Sequence, residues 1–183
     1  GLTVNYTASS GVLSITGVAN TAVYQTILQG ILYNDTSDTP TTASRSITVV
    51  ANDGIGPSAP QTVTLTVTAV NDAPGLAANT GPTVAQGGMY VITTANLQVT
   101  DVDNMPAQLI YTVTTALVGG QLELTSASGV AIMSFTQADI DAGRLVYVNS
   151  GTGSTSDSFT FTVSDGAGGT IGATTFNFTV TPF

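Results

Sequence analysis

An internal repeat is the feature that most constrains how this chain folds. Ser46-Ile47-Thr48 followed by Asn52-Asp53-Gly54 matches Ser158-Phe159-Thr160 followed by Ser164-Asp165-Gly166, an offset of 112 residues from Asp53 to Asp165. A period of this length suits one sandwich of about seven short strands, which typically has about 100 residues. The sequence therefore predicts two copies of one β-sandwich unit in series.

The two copies are unequal in length. Residues 1–70 begin at the counterpart of Ile110 and lack the part that corresponds to residues 75–109. Pro74 cannot donate to a strand ladder, which makes a module boundary beside it plausible. We predict modules at 1–72 and 73–183, the first without its N-terminal strand. An incomplete sandwich needs cover, either from an earlier part of a longer array or from a strand of another chain.

Short alternating runs predict strands along the chain, with apolar side chains on one face. Phe159, Phe161 and Val163 share a face in one run, and Phe176, Phe178 and Val180 share a face in another. This period of two is typical of half-buried strands. Similar alternation at Leu65 and Val67 predicts a strand there. The best helical candidates are two short stretches, 21–28 and 136–141, and the fold class is all-β.

The composition excludes several classes of function. The 183 residues contain no His and no Cys, which removes imidazole bases, thiolate nucleophiles, disulfides and the usual zinc ligands. With two Arg, no Lys and a net charge of −9, the chain has little to neutralise phosphates. Nucleic acid is therefore not an expected partner. No apolar run reaches the length of a bilayer span, and no leader pattern follows Gly1, so membrane insertion is not expected either.

The acidic residues have ordinary interpretations as turn residues. Asp-Gly between alternating runs, at Asp53-Gly54 and Asp165-Gly166, is a strong hairpin signal. Asp139 and Asp141 resemble a carboxylate pair for glycoside hydrolysis, but they lie in a short turn without an aromatic sugar platform. No nucleophile with an activating base can be assembled, so we predict that the chain is not an enzyme.

The second copy carries a recognisable pattern. Residues 135–147, ending in Leu145-Val146-Tyr147, followed by residues 157–166, resemble the cadherin-like repeat of the chondroitin-sulfate-proteoglycan type. The first copy, ending in residues 70–74, is similar to the cadherin-like modules of large bacterial surface adhesins. Repeats of this family often have a His two residues after the Tyr, where this chain has Asn149. The resemblance implies immunoglobulin-like sandwiches, an extracellular location at the cell surface, and a stalk or adhesive role.

The same resemblance implies one metal, calcium. Asp101 and Asp103 form an Asp-x-Asp pair 29 residues after Asp72, a separation similar to that in cadherins. Hard cations take clustered oxygen ligands, so Asn71, Asp72, Asp101 and Asp103 are the candidate ligands. The linker departs from the cadherin motif, because this chain has Ala69 at the position where that motif begins with Asp. Asx residues also form turns through their own backbone, and this alternative stays open.

These observations predict an extracellular structural repeat segment of a bacterial surface adhesin, stalk or filament, acting as a spacer and self-association unit. Its partners would be neighbouring modules of the same or an adjacent chain, in a head-to-tail polymer with strand complementation. The alternative is a β-sandwich module that binds a cell-surface glycan or protein through the loops at one end. That alternative predicts a concave, partly aromatic pocket.

Overall fold

The structure is a computed structural model that describes residues 1–182. By its internal contacts the chain divides into two compact units, the first covering Gly1–Thr36 and the second beginning at Ser37. The boundary predicted between residues 72 and 73 from the repeat stays a prediction. The all-β class is confirmed, because strands grouped in several sheets dominate the described residues.

The first unit contains a hairpin and a helix. Strands β1 (Thr3–Thr7) and β2 (Val12–Thr16) pair antiparallel, and Gly11 closes their turn with φ 66°. Helix α1 (Thr21–Gln29) begins at Asn20, whose side chain accepts a 3.1 Å hydrogen bond from the Val23 N–H. An Asn at this position satisfies a backbone donor that the helix itself cannot. The helical stretch predicted at 21–28 is confirmed.

The second unit begins with a two-stranded ribbon. Strands β3 (Arg45–Val49) and β4 (Gln61–Leu65) pair antiparallel, with Ile47 opposite Val63. The turn between them contains Asp53, whose carboxylate accepts the N–H groups of Ile55 and Gly56. The turn interpretation of Asp53-Gly54 is therefore confirmed. The strand ends at Leu65, so the prediction that it extends through Val67 is wrong.

From residue 75 onward the described part of the second unit is a β-sandwich of ten strands and one short helix. Their bounds are β5 (Gly75–Asn79), β6 (Thr83–Ala85), β7 (Met89–Val91), β8 (Leu97–Thr100), β9 (Ile110–Thr115), β10 (Gly120–Leu124), β11 (Ser134–Thr136), α2 (Gln137–Asp141), β12 (Leu145–Asn149), β13 (Ser156–Ser164) and β14 (Thr170–Thr181). One sheet has the order β11-β9-β13-β14-β6, a second has the order β10-β12-β7, and β5 pairs with β8.

The core lies between the two larger sheets and is mainly aromatic. Tyr147 of β12 stacks on Phe178 of β14 with a centroid distance of 3.9 Å. Phe159, Phe161 and Phe176 are completely buried, as the alternation predicted. Burying one such side chain stabilises a fold by about 1.5–3 kcal/mol, so these rings are a main source of the module's stability.

Two buried polar side chains, Gln137 and Asn149, hold neighbouring elements of the sandwich together through hydrogen bonds. Gln137, at the start of α2, accepts hydrogen bonds from the Tyr111 hydroxyl at 2.6 Å and from the Val99 N–H at 2.9 Å. These bonds tie the helix to β9 and β8. Asn149 donates to the Tyr147 hydroxyl at 2.9 Å and to the Gly119 carbonyl at 3.0 Å. An amide thus takes the position where the family often has His.

Helix α2 is the second helical stretch predicted from the sequence, and it is confirmed. The Thr136 hydroxyl and the Asp139 carboxylate form a capping box at its start. Asp139 also pairs with Arg144 at 2.9 Å, while Asp141 accepts a hydrogen bond from Gln137 at 2.8 Å. Both carboxylates considered as an acid pair therefore have structural partners.

Candidate metal centre

The loop after β8 is shaped by the carboxylate of Asp101. Its Oδ1 accepts hydrogen bonds from the N–H groups of Asp103 at 2.8 Å and Asn104 at 3.0 Å. This is an Asx turn, the ordinary alternative that the sequence left open. The other oxygen, Oδ2, is buried and has no hydrogen-bond partner. The turn accounts for only one of the two oxygens of this carboxylate.

Asn104, in the same turn, also has a buried side-chain oxygen without a hydrogen-bond partner. Its Nδ2 donates to the backbone carbonyl of Asp165 at 3.3 Å. Its Oδ1 is buried without a partner. Buried oxygens normally have a donor or a bound ion, because leaving one unsatisfied costs about 1–3 kcal/mol. Two such atoms three residues apart therefore require an explanation.

Asp165 anchors the turn between β13 and β14, and the turn predicted at Asp165-Gly166 is confirmed. The carboxylate is 2% exposed, and its Oδ1 accepts the N–H groups of Ala167, Gly168 and Gly169 at 2.7–3.0 Å. Its Oδ2 accepts a 2.7 Å hydrogen bond from Nδ2 of Asn71. The Asn71 bond, and then those from the turn, lower the pKa of Asp165 below its ordinary 3.8, against the opposing effect of burial.

The junction residues meet the loops of the sandwich at this point. The Asp72 N–H donates to Oδ2 of Asp103 at 2.7 Å, and the Asp72 carbonyl accepts from Asn71 Nδ2 at 2.7 Å. The turn backbone also approaches closely, because a Cβ at Gly169 would lie 2.8 Å from Ala73 Cα and 3.0 Å from Asp72 O. The junction is therefore held by side chains and by backbone packing.

The structure thus brings Asn71, Asp72, Asp101 and Asp103 into one hydrogen-bonded network. It adds two residues that sequence reasoning did not select as ligands, Asn104 and Asp165. Asn104 directly follows the Asp-x-Asp pair, and this position in the sequence could have indicated it as a further ligand. Asp165 matches a turn pattern in sequence, and only the fold places its carboxylate beside Asn71. We name this network of six residues the junction cluster.

The donor set of the junction cluster fits a hard cation. Carboxylate, amide and backbone oxygens are the ligands of calcium, which takes six to eight of them. Among residues 1–182, no three His, Cys, Asp or Glu side chains are arranged to hold a metal by themselves. An ion here would therefore depend on amide or main-chain oxygens as well, and Asn104 Oδ1 is a buried amide oxygen with no donor.

A shallow depression of about 290 Å³ lies elsewhere on the sandwich. Its lining residues are Thr115, Ala116, Val118, Ser156, Asp157, Ser158, Asn177 and Phe178. Its one aromatic residue, Phe178, is 2% exposed and stacks on Tyr147. Asp157 accepts the Val118 and Gly119 N–H groups and the Tyr147 hydroxyl. This depression therefore presents no exposed aromatic surface to a sugar.

Comparison with known proteins identifies the class that this fold defines. The sequence model of the Cadherin-like family matches residues 74–181, more than half of the chain. The chain therefore belongs to the Cadherin-like family. This confirms the cadherin-like repeat that residues 135–166 resemble.

Two of the relatives that the chain is similar to are extracellular matrix proteins by name, and a third is a proteoglycan. The chain is similar to the extracellular matrix organizing protein FRAS1 of Mus musculus, with 44% identity over 94 residues, which are 51% of this chain and 2% of that protein. It is 32% identical over 115 residues to extracellular matrix protein 3 of Lytechinus variegatus, covering 62% and 4%. Chondroitin sulfate proteoglycan 4 of Mus musculus is 35% identical over 113 residues, covering 61% and 5%.

The chain spans only 2–5% of the length of these relatives. The similarity thus concerns a repeat unit within much longer proteins. No helix among the described residues has the length and apolar character that a bilayer span requires.

Proposed function

We propose that this chain is a structural repeat segment of an extracellular protein, which spaces other parts of that protein and associates with neighbouring modules. The observation that carries the proposal is the junction cluster, in which Asn71 and Asp72 are hydrogen-bonded to Asp165 and Asp103. A spacer transmits force along its chain, so the connection into each module needs to be fixed. Membership of the Cadherin-like family and the extracellular relatives support the location.

The family and the relatives support a structural role over catalysis. The carboxylates considered for catalysis are occupied by the helix cap, the Arg144 ion pair and Gln137. We assign the parent protein to the adhesins, stalks or filaments of the bacterial cell surface. This finer assignment is supported by the resemblance of the first copy and of residues 70–74 to adhesin modules, while the relatives named above are animal proteins.

Calcium is the proposed cofactor of the junction cluster. Asp101, Asn104 and Asp103 would hold it, with Asp72, Asn71 and Asp165 around them. When bound, the ion supplies positive charge and oxygen coordination among carboxylates that otherwise repel one another. Asp101 orients the loop through its Oδ1, which leaves Oδ2 for the ion. Asp103 links the loop to the junction by accepting the Asp72 N–H.

The expected energetic effect is modest. Extracellular calcium modules bind with dissociation constants of about 0.1–1 mM. At about 1 mM calcium, a site of about 0.1 mM adds roughly 1.4 kcal/mol to the free energy of unfolding. That amount stiffens a junction but does not create a fold. The buried aromatic core is a main source of the stability of the fold itself.

A thermal unfolding experiment tests the calcium assignment. The midpoint in 1 mM calcium should exceed that in chelator by roughly 5 °C. Asp101→Asn should abolish this difference. Asp53→Asn is the matched control, because Asp53 also forms an Asx turn but lies outside the junction cluster. An equal calcium effect in both variants would overturn the assignment.

Single-molecule pulling tests the spacer role separately. The chain, held by its two ends, should give a discrete unfolding event that corresponds to the sandwich from residue 75 onward. Because the junction cluster fixes the entry of the chain into this sandwich, Asn71→Ala should lower the unfolding force. A gradual extension without a discrete event would contradict a mechanical role.

A further inference from the structure

The last strand of the sandwich, β14, contains the motif Asn177-Phe178-Thr179. Asn-x-Thr, with any residue but Pro in the middle, is the acceptor motif for N-linked sugars on the surface of secreted proteins. The motif also occurs at Asn5 and Asn34 of the first unit, and those two carry no part of the inference. Such a short motif is an acceptor site only where the folded chain leaves room for the sugar.

The strand directs Asn177 and Thr179 to the same, solvent-facing side. Residues two apart in a strand share a face. The opposite face of β14 carries the buried side chains Phe176, Phe178 and Val180, which are at most 2% exposed. Asn177 and Thr179 are exposed, and the Asn177 side chain forms no hydrogen bond among the residues that the structure describes. Its amide is therefore accessible from outside the folded sandwich.

The backbone of Asn177 is fixed on both sides. Ser158 of β13 is its partner in the sheet. Gly81, just before β6, lies against it so closely that a Cβ at Gly81 would overlap the Asn177 carbonyl oxygen. A slip of β14 by one residue would also turn Phe178 out of the core. The packing therefore keeps the Asn177 amide on the outer face of the sheet.

The surface around Asn177 is uncharged and made of short side chains. Its neighbours on β13 and β14 all carry hydroxyl groups: Ser156, Ser158, Thr175 and Thr179. The chain as a whole has a net charge of −9, and none of that charge is on these neighbours. A sugar attached here therefore meets neither a bulky side chain nor a charged one.

The depression of about 290 Å³ described above gives the sugar a place to lie. Asn177 is one of its lining residues, and Val118 is another. Val118 is 95% exposed. One face of a sugar ring is largely apolar, and covering apolar surface is favourable. A covalently attached sugar stays in place without the aromatic platform that this depression lacks.

We propose that Asn177 is the acceptor of an N-linked glycan whose first sugar lies in this depression against Val118. The donor is a sugar activated as a phosphate ester, on a nucleotide or on a lipid diphosphate. Nδ2 of Asn177 attacks the anomeric carbon and forms the new C–N bond. The bond from that carbon to the phosphate oxygen breaks, its electron pair leaves on the phosphate, and one amide proton passes to a base of the transferase.

The glycan covers one part of the larger sheet and leaves the junction cluster open. Asn177 lies about 20 Å along β14 from Thr170, the end of the strand that follows the Asp165 turn. The two sites are therefore separate, and the glycan restricts contacts between chains to other surfaces than this outer face.

Peptide mapping by mass spectrometry tests whether Asn177 is modified in the intact chain. In one arm the chain is secreted from a eukaryotic host, which supplies the sugar from a lipid diphosphate. In the other arm it is produced together with a transferase that modifies Asn-x-Thr from UDP-glucose. We expect Asn177 to carry a sugar in at least one arm, and the successful arm identifies the donor. If Asn177 stays unmodified in both arms while a reference glycoprotein is modified in each, the proposal is wrong.

Variants of the motif show whether the modification depends on Asn-x-Thr. Thr179→Val should lower the occupancy of Asn177 at least tenfold, whereas Thr179→Ser should keep it, because the hydroxyl is part of the motif. Thr175→Val is the matched control, since it changes an exposed Thr on the same face of β14 outside the motif. Equal occupancy in Thr179→Val and Thr175→Val would contradict recognition through the motif.

Methyl NMR tests where the first sugar lies. The chain carrying a single sugar is compared with Asn177→Gln, which carries none. The Val118 methyl resonances should shift, and those of Val130, 56% exposed in a different loop, should not. Unchanged Val118 resonances would overturn the placement of the sugar in the depression. Both results should be the same in calcium and in chelator, so failure here can be told from failure of the calcium-stabilised spacer.

Discussion

Nδ2 of Asn71 donates a 2.7 Å hydrogen bond to Oδ2 of Asp165, a residue 94 positions further along the chain. This bond connects the segment before the sandwich to the turn between its two longest strands. It is also the largest cause of the lowered pKa of Asp165. The pair therefore links the geometry of the junction to the acid stability of the module.

The lowered pKa of Asp165 predicts a loss of stability in acid. The folded carboxyl has a pKa below the 3.8 of the unfolded chain, so its contribution is fully present above about pH 4. It is lost as the pH falls through the folded value. Asn71→Ala should move the pKa of Asp165 upward, measured by carboxyl ¹³C NMR titration. An unchanged titration in that variant would show that the bond is not formed in solution.

Gly169 should tolerate no side chain, for steric reasons. A Cβ there would contact Asp165 Oδ2 and lie 2.8 Å from Ala73 Cα. Gly169→Ala is expected to lower the free energy of unfolding by about 1–3 kcal/mol and to increase hydrogen exchange at the Asp72 amide. Gly172→Ala is the control, because nothing lies within 4 Å of its Cβ. Equal effects of the two substitutions would contradict the close packing of the junction.

The buried Tyr147 hydroxyl is expected to contribute to the folding stability of the sandwich through its two hydrogen bonds. It donates to Asp157 Oδ2 at 2.9 Å and accepts from Asn149 Nδ2 at 2.9 Å. Tyr147→Phe keeps the ring against Phe178 but removes one hydrogen bond each from the Asp157 carboxylate and the Asn149 amide, so it should cost about 1–3 kcal/mol in denaturant unfolding. Tyr6→Phe, at a 63% exposed position, should change stability by less than about 0.5 kcal/mol.

The same hydroxyl should titrate only at high pH. Burial first, and the Asp157 carboxylate in addition, raise the pKa of Tyr147 to about 12. Stability from this group, which is neutral when folded, is present below the ordinary pKa of 10.0 and is lost as the pH rises through the folded value. A ¹³C NMR titration of the Tyr ring should show this; ionisation of Tyr147 near pH 10 would contradict its burial.

The capping box of α2 should contribute more to the free energy of unfolding than the Asp139–Arg144 ion pair does. Asp139 accepts the N–H and hydroxyl of Thr136 at 2.9 and 2.7 Å and pairs with Arg144. Asp139→Ala should cost about 0.5–2 kcal/mol through loss of the cap. Arg144→Met should cost less than about 1 kcal/mol, because its side chain is 43% exposed. Chemical unfolding of both variants tests the order, and the reverse order would contradict it.

Much of the sandwich could be predicted from local pattern. The alternation of Phe159, Phe161 and Val163 defines a buried face because a strand has a period of two. Asp165-Gly166 indicated its turn, since Gly166 adopts φ 79° at little cost. Thr136 and Asp139 marked the start of α2 by their spacing. These signals lie within a few residues of one another, which is why sequence reasoning found them.

Other features depend on residues far apart in sequence. The counterparts of β1 and β2 are β9 and β10, which lie in different sheets, yet β1 and β2 pair with each other. A short turn favours this local pairing because it costs little loop entropy. Ile31-Leu32-Tyr33-Asn34 match Leu145-Val146-Tyr147-Val148 of β12 in sequence, but they form no strand. The division into two repeat copies stays a prediction, and the strand pairing within the first copy differs from that of the sandwich.

The junction cluster was predictable in part. The Asp-x-Asp pair and Asn71-Asp72 were selected by spacing, and the structure connects them through the Asp72 N–H and Asp103. Asn104 and Asp165 were not selected, because a turn residue and a ligand have the same appearance in sequence. The burial of Asp101 Oδ2 and Asn104 Oδ1 without hydrogen-bond partners is the observation on which the proposed ligand role rests, and it depends on the fold.

Titration of the intact chain with calcium chloride, followed residue by residue through its backbone amides, tests the central claim most directly. We predict saturable shifts at residues 101–104 and 165–169 with one dissociation constant of about 0.1–1 mM. Asn71 and Asp72 should shift in the same titration. Shifts that stay linear in calcium, or that spread over surface carboxylates such as Asp38 and leave Asp101 and Asn104 unchanged, would contradict it.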